Sequence, residues 1–89
     1  MAYRLKKKEI AYRKIGDEYF ILTTRDSTLH NVKGAGVRIM ELLDDGKSEG
    51  EILHLLREEY DAPSAEIEAD LAAFLAELEA KGIVAPNET

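Results

Sequence analysis

The stretch TLHNVKGAGVRIMELLDDG, Thr28 to Gly46, holds the spacing that most resembles a ligand-binding motif. Gly34-Ala35-Gly36 stands between a short β-branched run and an apolar periodic segment. A dinucleotide-binding loop would sit in such a place. The third glycine of that fingerprint is absent, because Ile39 occupies its position. No parallel strand follows the helix, and no Gly-Lys-Ser or Gly-Lys-Thr occurs, so a P-loop fails as well. The remaining reading is a corner: glycines let the chain turn sharply and let a helix start lie close to a strand.

Other reactive residue types are sparse. His30 and His54 are the only histidines, and there is no cysteine. A thiolate zinc or iron–sulfur site is therefore excluded, and neither histidine has a second one at helical ligand spacing. No metal and no cofactor is expected. His30 is read as a strand residue on an open face, His54 as a residue on the polar side of a helix. Acidic clusters such as Asp44/Asp45, Glu58/Glu59 and Glu66/Glu68/Asp70 read as a solvated face. A Ser-His-Asp set is spatial and stays open from sequence, but no Gly-x-Ser-x-Gly elbow occurs. A chain of 89 residues also leaves little room for a water-excluding pocket. The expectation is a protein that is not an enzyme.

Charge is segregated. Residues 1–15 carry six bases against one acid, whereas residues 41–89 carry 14 acids against three bases, within a net charge of −6. An acidic half suits solubility or a basic partner and repels polyphosphate. The start, MAYRLKKK, lacks the apolar segment of a secretory signal. No apolar run approaches the roughly 20 residues of a membrane helix. The expected compartment is the cytoplasm, without membrane contact.

Patterning gives the elements that must position any site. Residues 9–15 alternate as a half-buried strand, and Gly16-Asp17 is a turn signal. Residues 18–25 are aromatic and β-branched, with Tyr19-Phe20-Ile21-Leu22 apolar on both faces, as in a central strand. Asp26-Ser27 turns the chain into a third strand, Thr28–Val32. Ala35, Ile39, Leu42 and Leu43 then fall on one helical stripe ended by Gly46. Ser48-x-x-Glu51 is a capping box for a second helix with Ile52, Leu53, Leu55, Leu56 and Tyr60. Pro63 precedes a third helix with Ile67, Leu71, Phe74, Leu75 and Leu78, ended by Gly82.

The fold class is α+β: a three-stranded antiparallel β-meander followed by three helices, winged-helix-turn-helix-like. The organisation expected is a basic N-terminal arm (residues 1–8), one domain (9–85) and a frayed tail (86–89). Such an outline admits a winged-helix DNA reader. The third helix, however, carries Glu66, Glu68, Asp70, Glu77 and Glu79 against Lys81 alone, so phosphate is repelled and no nucleic acid is expected. What remains is an interaction protein. The third strand contains no proline to block pairing, so Thr28, Leu29, His30, Asn31 and Val32 can accept an extended peptide as a fourth strand.

The ordered set of residues resembles the PqqD family, the precursor-peptide-binding domains also called RiPP recognition elements. Ile10-Ala11-Tyr12-Arg13 with Gly16-Asp17-Glu18-Tyr19 is similar to the family's first hairpin. Val32, Ile39 and Leu42-Leu43-Asp44-Asp45-Gly46 resemble its corner and first helix. Ser48-x-x-Glu51-Ile52, Leu55-Leu56 and Tyr60 resemble its second helix, and Asp70-Leu71, Phe74-Leu75, Leu78 and Lys81-Gly82-Ile83 its third. The chain departs where the family commonly has Leu-Asn, here Val32-Lys33, and where it often has an aromatic residue, here Met40.

The resemblance implies a non-catalytic module. It would bind the leader of a ribosomally made precursor peptide and present it to a modifying enzyme, often a radical SAM protein, with pyrroloquinoline quinone (PQQ) biosynthesis as one such pathway. The implied site is Thr28, Leu29, His30, Asn31 and Val32 for main-chain pairing, with Leu71 and Leu75 at the groove rim. Asp70 matches a frequent family Asp, which could hold a basic leader residue or cap locally, the structural role being preferred. Two alternatives remain: a winged-helix-like regulator, or a structural subunit docking a larger enzyme through Met40 or the basic arm. An open edge also admits a homodimer.

Overall fold

The computed structural model describes residues 2–87. The elements are β1 (Ala2–Leu5), β2 (Ile10–Ile15), β3 (Glu18–Thr23), β4 (Thr28–Val32), α1 (Ala35–Asp44), α2 (Glu49–Glu59), α3 (Ser64–Ala80) and β5 (Val84–Asn87). β2, β3 and β4 form the expected antiparallel meander with β3 in the centre. The three helices follow as read from the sequence.

The ends of the chain depart from the sequence reading. β1 pairs antiparallel with β5, Leu5 opposite Val84 and Ala2 opposite Asn87. Residues 2–5 of the expected arm are thus a strand, and the strand 84–87 takes in residues 86–87 of the expected tail; Met1, Glu88 and Thr89 lie outside the described residues. Leu5, Ile83 and Val84 are buried, and the Lys6 amide donates to the Ile83 carbonyl at 2.9 Å. Burial of these aliphatic side chains is what holds the short pair, since two strands alone are marginal in water.

Register decides which side chains meet. Ile10, Thr23 and Thr28 share a row, as do Tyr12, Ile21 and His30, and Lys14, Tyr19 and Val32. This face packs on the helices: Tyr19, Ile21, Thr23 and Val32 are buried. The opposite face carries Ala11, Leu22 and Leu29, then Arg13, Phe20 and Asn31. Leu22 and Leu29 are exposed there.

Two glycines shape the strand-to-helix corner. Gly34 takes φ 64° and ψ −138° at the cap position of α1, a conformation a side chain would strain. Gly34 is thus the N-cap of α1. A Cβ on Gly36 would lie 2.7 Å from Val32 Cγ1 and 2.9 Å from Phe74 Cζ, so only glycine lets α1 start this close to β4 and α3. The corner reading of the sequence holds.

The capping box forms as expected: the Glu51 amide donates to Ser48 Oγ at 3.2 Å, and the Ser48 amide to Glu51 Oε1 at 3.0 Å. α1 and α3 both end in paired backbone bonds, Gly46 to Leu43 with Lys47 to Leu42, and Gly82 to Glu79 with Ile83 to Leu78. Each turns the chain back on its own helix. The core runs from Ile21 and Tyr19 through Met40, Leu42, Ile52 and Leu56 to Leu71, Leu75 and Leu78.

Candidate functional site

β4 is an edge. Among the described residues β3 is its only strand partner, so one row of its backbone N–H and C=O groups has no ladder partner. Thr28, Leu29 and Asn31 are exposed, His30 is half-buried and Val32 is buried. Leu29 is 65% exposed among the described residues. His30 corrects the sequence reading: it lies on the inner face opposite Ile21, with Nε2 3.5 Å from Thr23 Oγ1.

The inner face of β4 is bounded by α3. Phe74 packs against the core and its ring closes on Val32 and Gly36, making the wall where β4 meets the helices. One turn earlier on α3, an apolar cavity of about 150 Å³ opens between the three helices. It is lined by Ala35, Ile39, Leu56, Tyr60, Ile67, Leu71 and Asp70, with Ala62 at the turn. Leu71 lines it, although its side chain is buried. Leu75 is 1% exposed and does not line it, so it belongs to the core. Phe74 and Tyr60 are less buried than the sequence reading placed them. Their apolar spacing marked them as core, and only a half-buried Phe74 and a 41% exposed Tyr60 separate them from it.

Asp70 is not a cap. It sits in the second turn of α3, exposed at the cavity mouth, and makes no hydrogen bond or ion pair among the described residues. Met40 is fully buried and cannot dock a larger enzyme.

Polar clips hold the site's walls in place. Tyr12 donates to Asp44, and Lys14 Nζ lies 2.9 Å from Glu41 Oε2, joining β2 to α1. Burial first, and then the bond to Asp44, push the Tyr12 hydroxyl pKa up to about 12. Arg38 donates to both oxygens of Glu59, at 2.9 and 2.8 Å, tying α1 to α2. Those bonds hold the Glu59 carboxyl below its ordinary range. At the β3–β4 turn, Thr23 donates to Asp26, and the Thr28 amide reaches the same oxygen at 3.3 Å. Thr23, Asp26 and His30 lie together, but the hydroxyl proton faces a carboxylate and not the imidazole. The cluster locks a turn rather than activating a nucleophile. Among the described residues no group of three His, Asp or Glu gathers as a metal site. None of the described helices is long and apolar enough to cross a membrane.

A three-stranded sheet whose edges are β2 and β4, packed on three helices, defines an α+β domain. The chain belongs to the PqqD family: the family model described as Coenzyme PQQ synthesis protein D (PqqD) matches residues 18–84. Domains of this family are non-catalytic peptide-binding modules. A PqqA binding protein of Gluconobacter oxydans (strain 621H) is 42% identical over 53 residues, 60% of this chain and 55% of that protein. The chain thus spans about half the length of that curated relative. Two solved structures share the whole architecture. TbiB1, in complex with the TbiA(beta) leader peptide, has a TM-score of 0.89 at 27% identity, covering 97% of this chain and 99% of that one. Lasso peptide synthetase B1, complexed with its leader peptide, has a TM-score of 0.80 at 25% identity, covering 97% and 100%.

Proposed function

We propose that this chain captures the leader of a ribosomally made precursor peptide as a fourth strand on β4 and presents it to a modifying enzyme. The observation that carries the reading is the open edge Thr28–Val32, with an apolar cavity among the helices that follow it. Main-chain bonds along β4 supply affinity, and the cavity supplies preference for an apolar side chain. Two structural relatives captured with leader peptides support this reading. The modifying enzyme is a radical SAM protein in this proposal, and the similarity to a PqqA binding protein favours PQQ biosynthesis as the pathway. Catalysis is the enzyme's, and the module contributes position.

The same edge is the seam at which two copies would pair, so self-pairing and peptide capture compete. The test is a titration of ¹⁵N-labelled protein with the TbiA(beta) leader peptide and, separately, with PqqA. Amides of residues 28–33, together with Asp70 and Leu71, are expected to shift. Shifts confined to α2, or none with either ligand, contradict the proposal.

A further inference from the structure

We infer that the captured peptide is gripped on the outer face of the sheet as well as along its edge, and that Leu29 selects an aliphatic or aromatic peptide side chain there. The inference rests on the leader-binding reading above and names a residue preference of the same strand.

Four large hydrophobic side chains are exposed among the described residues, and three of them, Ile15, Leu22 and Leu29, lie on the outer face of the meander. Leu29 is the most exposed of all. Leu22 stands directly opposite it on β3, with Phe20 on the diagonal. Edge strands are ordinarily guarded by charge. The β2 edge follows that rule, with Arg13 and Lys14 in its last three residues. The β4 edge does not. Thr28–Val32 holds no Lys, Arg, Asp or Glu, and the next residue, Lys33, is held by Glu18 at 3.2 Å. A bare leucine on the unguarded edge is a surface left for an apolar neighbour.

Register says where that neighbour stands. A strand added to β4 continues the rows of the sheet, and its side chains alternate between the two faces. Inward ones extend the rows that end in Thr28, His30 and Val32, and outward ones extend the rows that end in Leu29 and Asn31. The outward residue beside Leu29 has its Cβ about 5 Å from the leucine's. It lengthens the row Ala11, Leu22, Leu29 by one place and covers the open flank of Leu29. A charged side chain in that place would lose water against apolar neighbours and find no partner charge on β4.

A second copy of the chain, stacked sheet on sheet, is the competing occupant. Three strands about 4.8 Å apart and five or six residues long make a face of only about 14 by 18 Å. That is about 250 Å², well short of the roughly 800 Å² that each partner gives to a stable interface. One side chain of a peptide needs no such area, because main-chain bonds along β4 already hold its strand.

The experiment uses the full chain, labelled with ¹⁵N and with ¹³C at the leucine methyls, and the TbiA(beta) leader peptide or PqqA, whichever shifts the amides of residues 28–32. The peptide residue that gives nuclear Overhauser contacts to the Leu29 methyls is replaced in turn by Ile, Ser and Asp, and affinities are measured by calorimetry. The Ile version is expected to bind about two- to fivefold tighter than the Ser version, with the Asp version weakest. The preference is expected to vanish in Leu29→Ser. It is expected to survive in Ile15→Ser, which shares the outer face but lies on β2, about 10 Å from β4. Leu29 is exposed, so Leu29→Ser is expected to keep the wild-type urea midpoint. No contact from Leu29 to a bound peptide, equal affinities for the three versions, or a preference that Leu29→Ser leaves intact overturns the inference while leaving the leader reading standing. A concentration-dependent dimer that Leu29→Ser dissolves in sedimentation overturns it as well, with a second copy as the occupant. No shift at residues 28–32 with either peptide removes the reading on which it rests.

Discussion

Gly36 is the residue at which fold and site meet most tightly. Its missing side chain lets Val32 and Phe74 close the same gap. Gly36→Ala is expected to lose about 1–3 kcal/mol through overpacking, read by urea unfolding, and to displace the Phe74 ring, read from its aromatic resonances. Tyr12 gives a second test. Burial and the bond to Asp44 push its hydroxyl pKa up from the ordinary 10.0 to about 12. The raised pKa means that its stabilisation is complete below pH 10 and is lost as pH rises towards 12. Tyr12→Phe is expected to lessen that alkaline decline without abolishing it, since Tyr3, Tyr19 and Lys14 are raised as well, measured as denaturation midpoints across this range. Sequence reasoning located the glycine corner because glycine has few other uses between a strand and a helix. It placed Phe74 in the core and Asp70 in a cap, because helical spacing reports a face and not what stands opposite it.

The order and type of the central elements were legible. Alternation in residues 9–15 and 18–25, turn signals at Gly16-Asp17 and Asp26-Ser27, and a capping box at Ser48 each act locally, so local reading finds them. Ser48→Ala is expected to cost about 1 kcal/mol in urea unfolding, with α2 fraying from its first turn in hydrogen exchange. The open edge of β4 was also legible: no proline, no inward charge and a short strand. The inward turn of His30 was not, because the parity of a strand is set by its partner's register and β4 takes it from Ile21. The cavity was beyond reach for a related reason. Ala35, Leu56, Tyr60 and Asp70 come from three helices whose crossing no single segment encodes.

For the molecule as a whole, the unread feature is the terminal sheet. Ala2–Leu5 is too short for a period, and Pro86 argued for a tail, although proline is tolerated on an edge strand. Their pairing spans nearly the whole chain, and the buried Leu5 and Val84 drive it. Leu5→Ala is expected to cost about 2–5 kcal/mol and to loosen β5, seen as faster exchange at residues 84–87. The terminal pair forms a sheet of its own and leaves the meander with β2 and β4 as its edges, β4 being the one whose Val32 meets Phe74 of α3. The most direct test of that arrangement is hydrogen exchange on β4 with and without saturating TbiA(beta) leader peptide. The account predicts that alternate amides between Thr28 and Val32, those pointing away from β3, become slowly exchanging when peptide is bound. Unchanged exchange along β4 at saturation, with protection gained on α2 or on the outer sheet face instead, would contradict it.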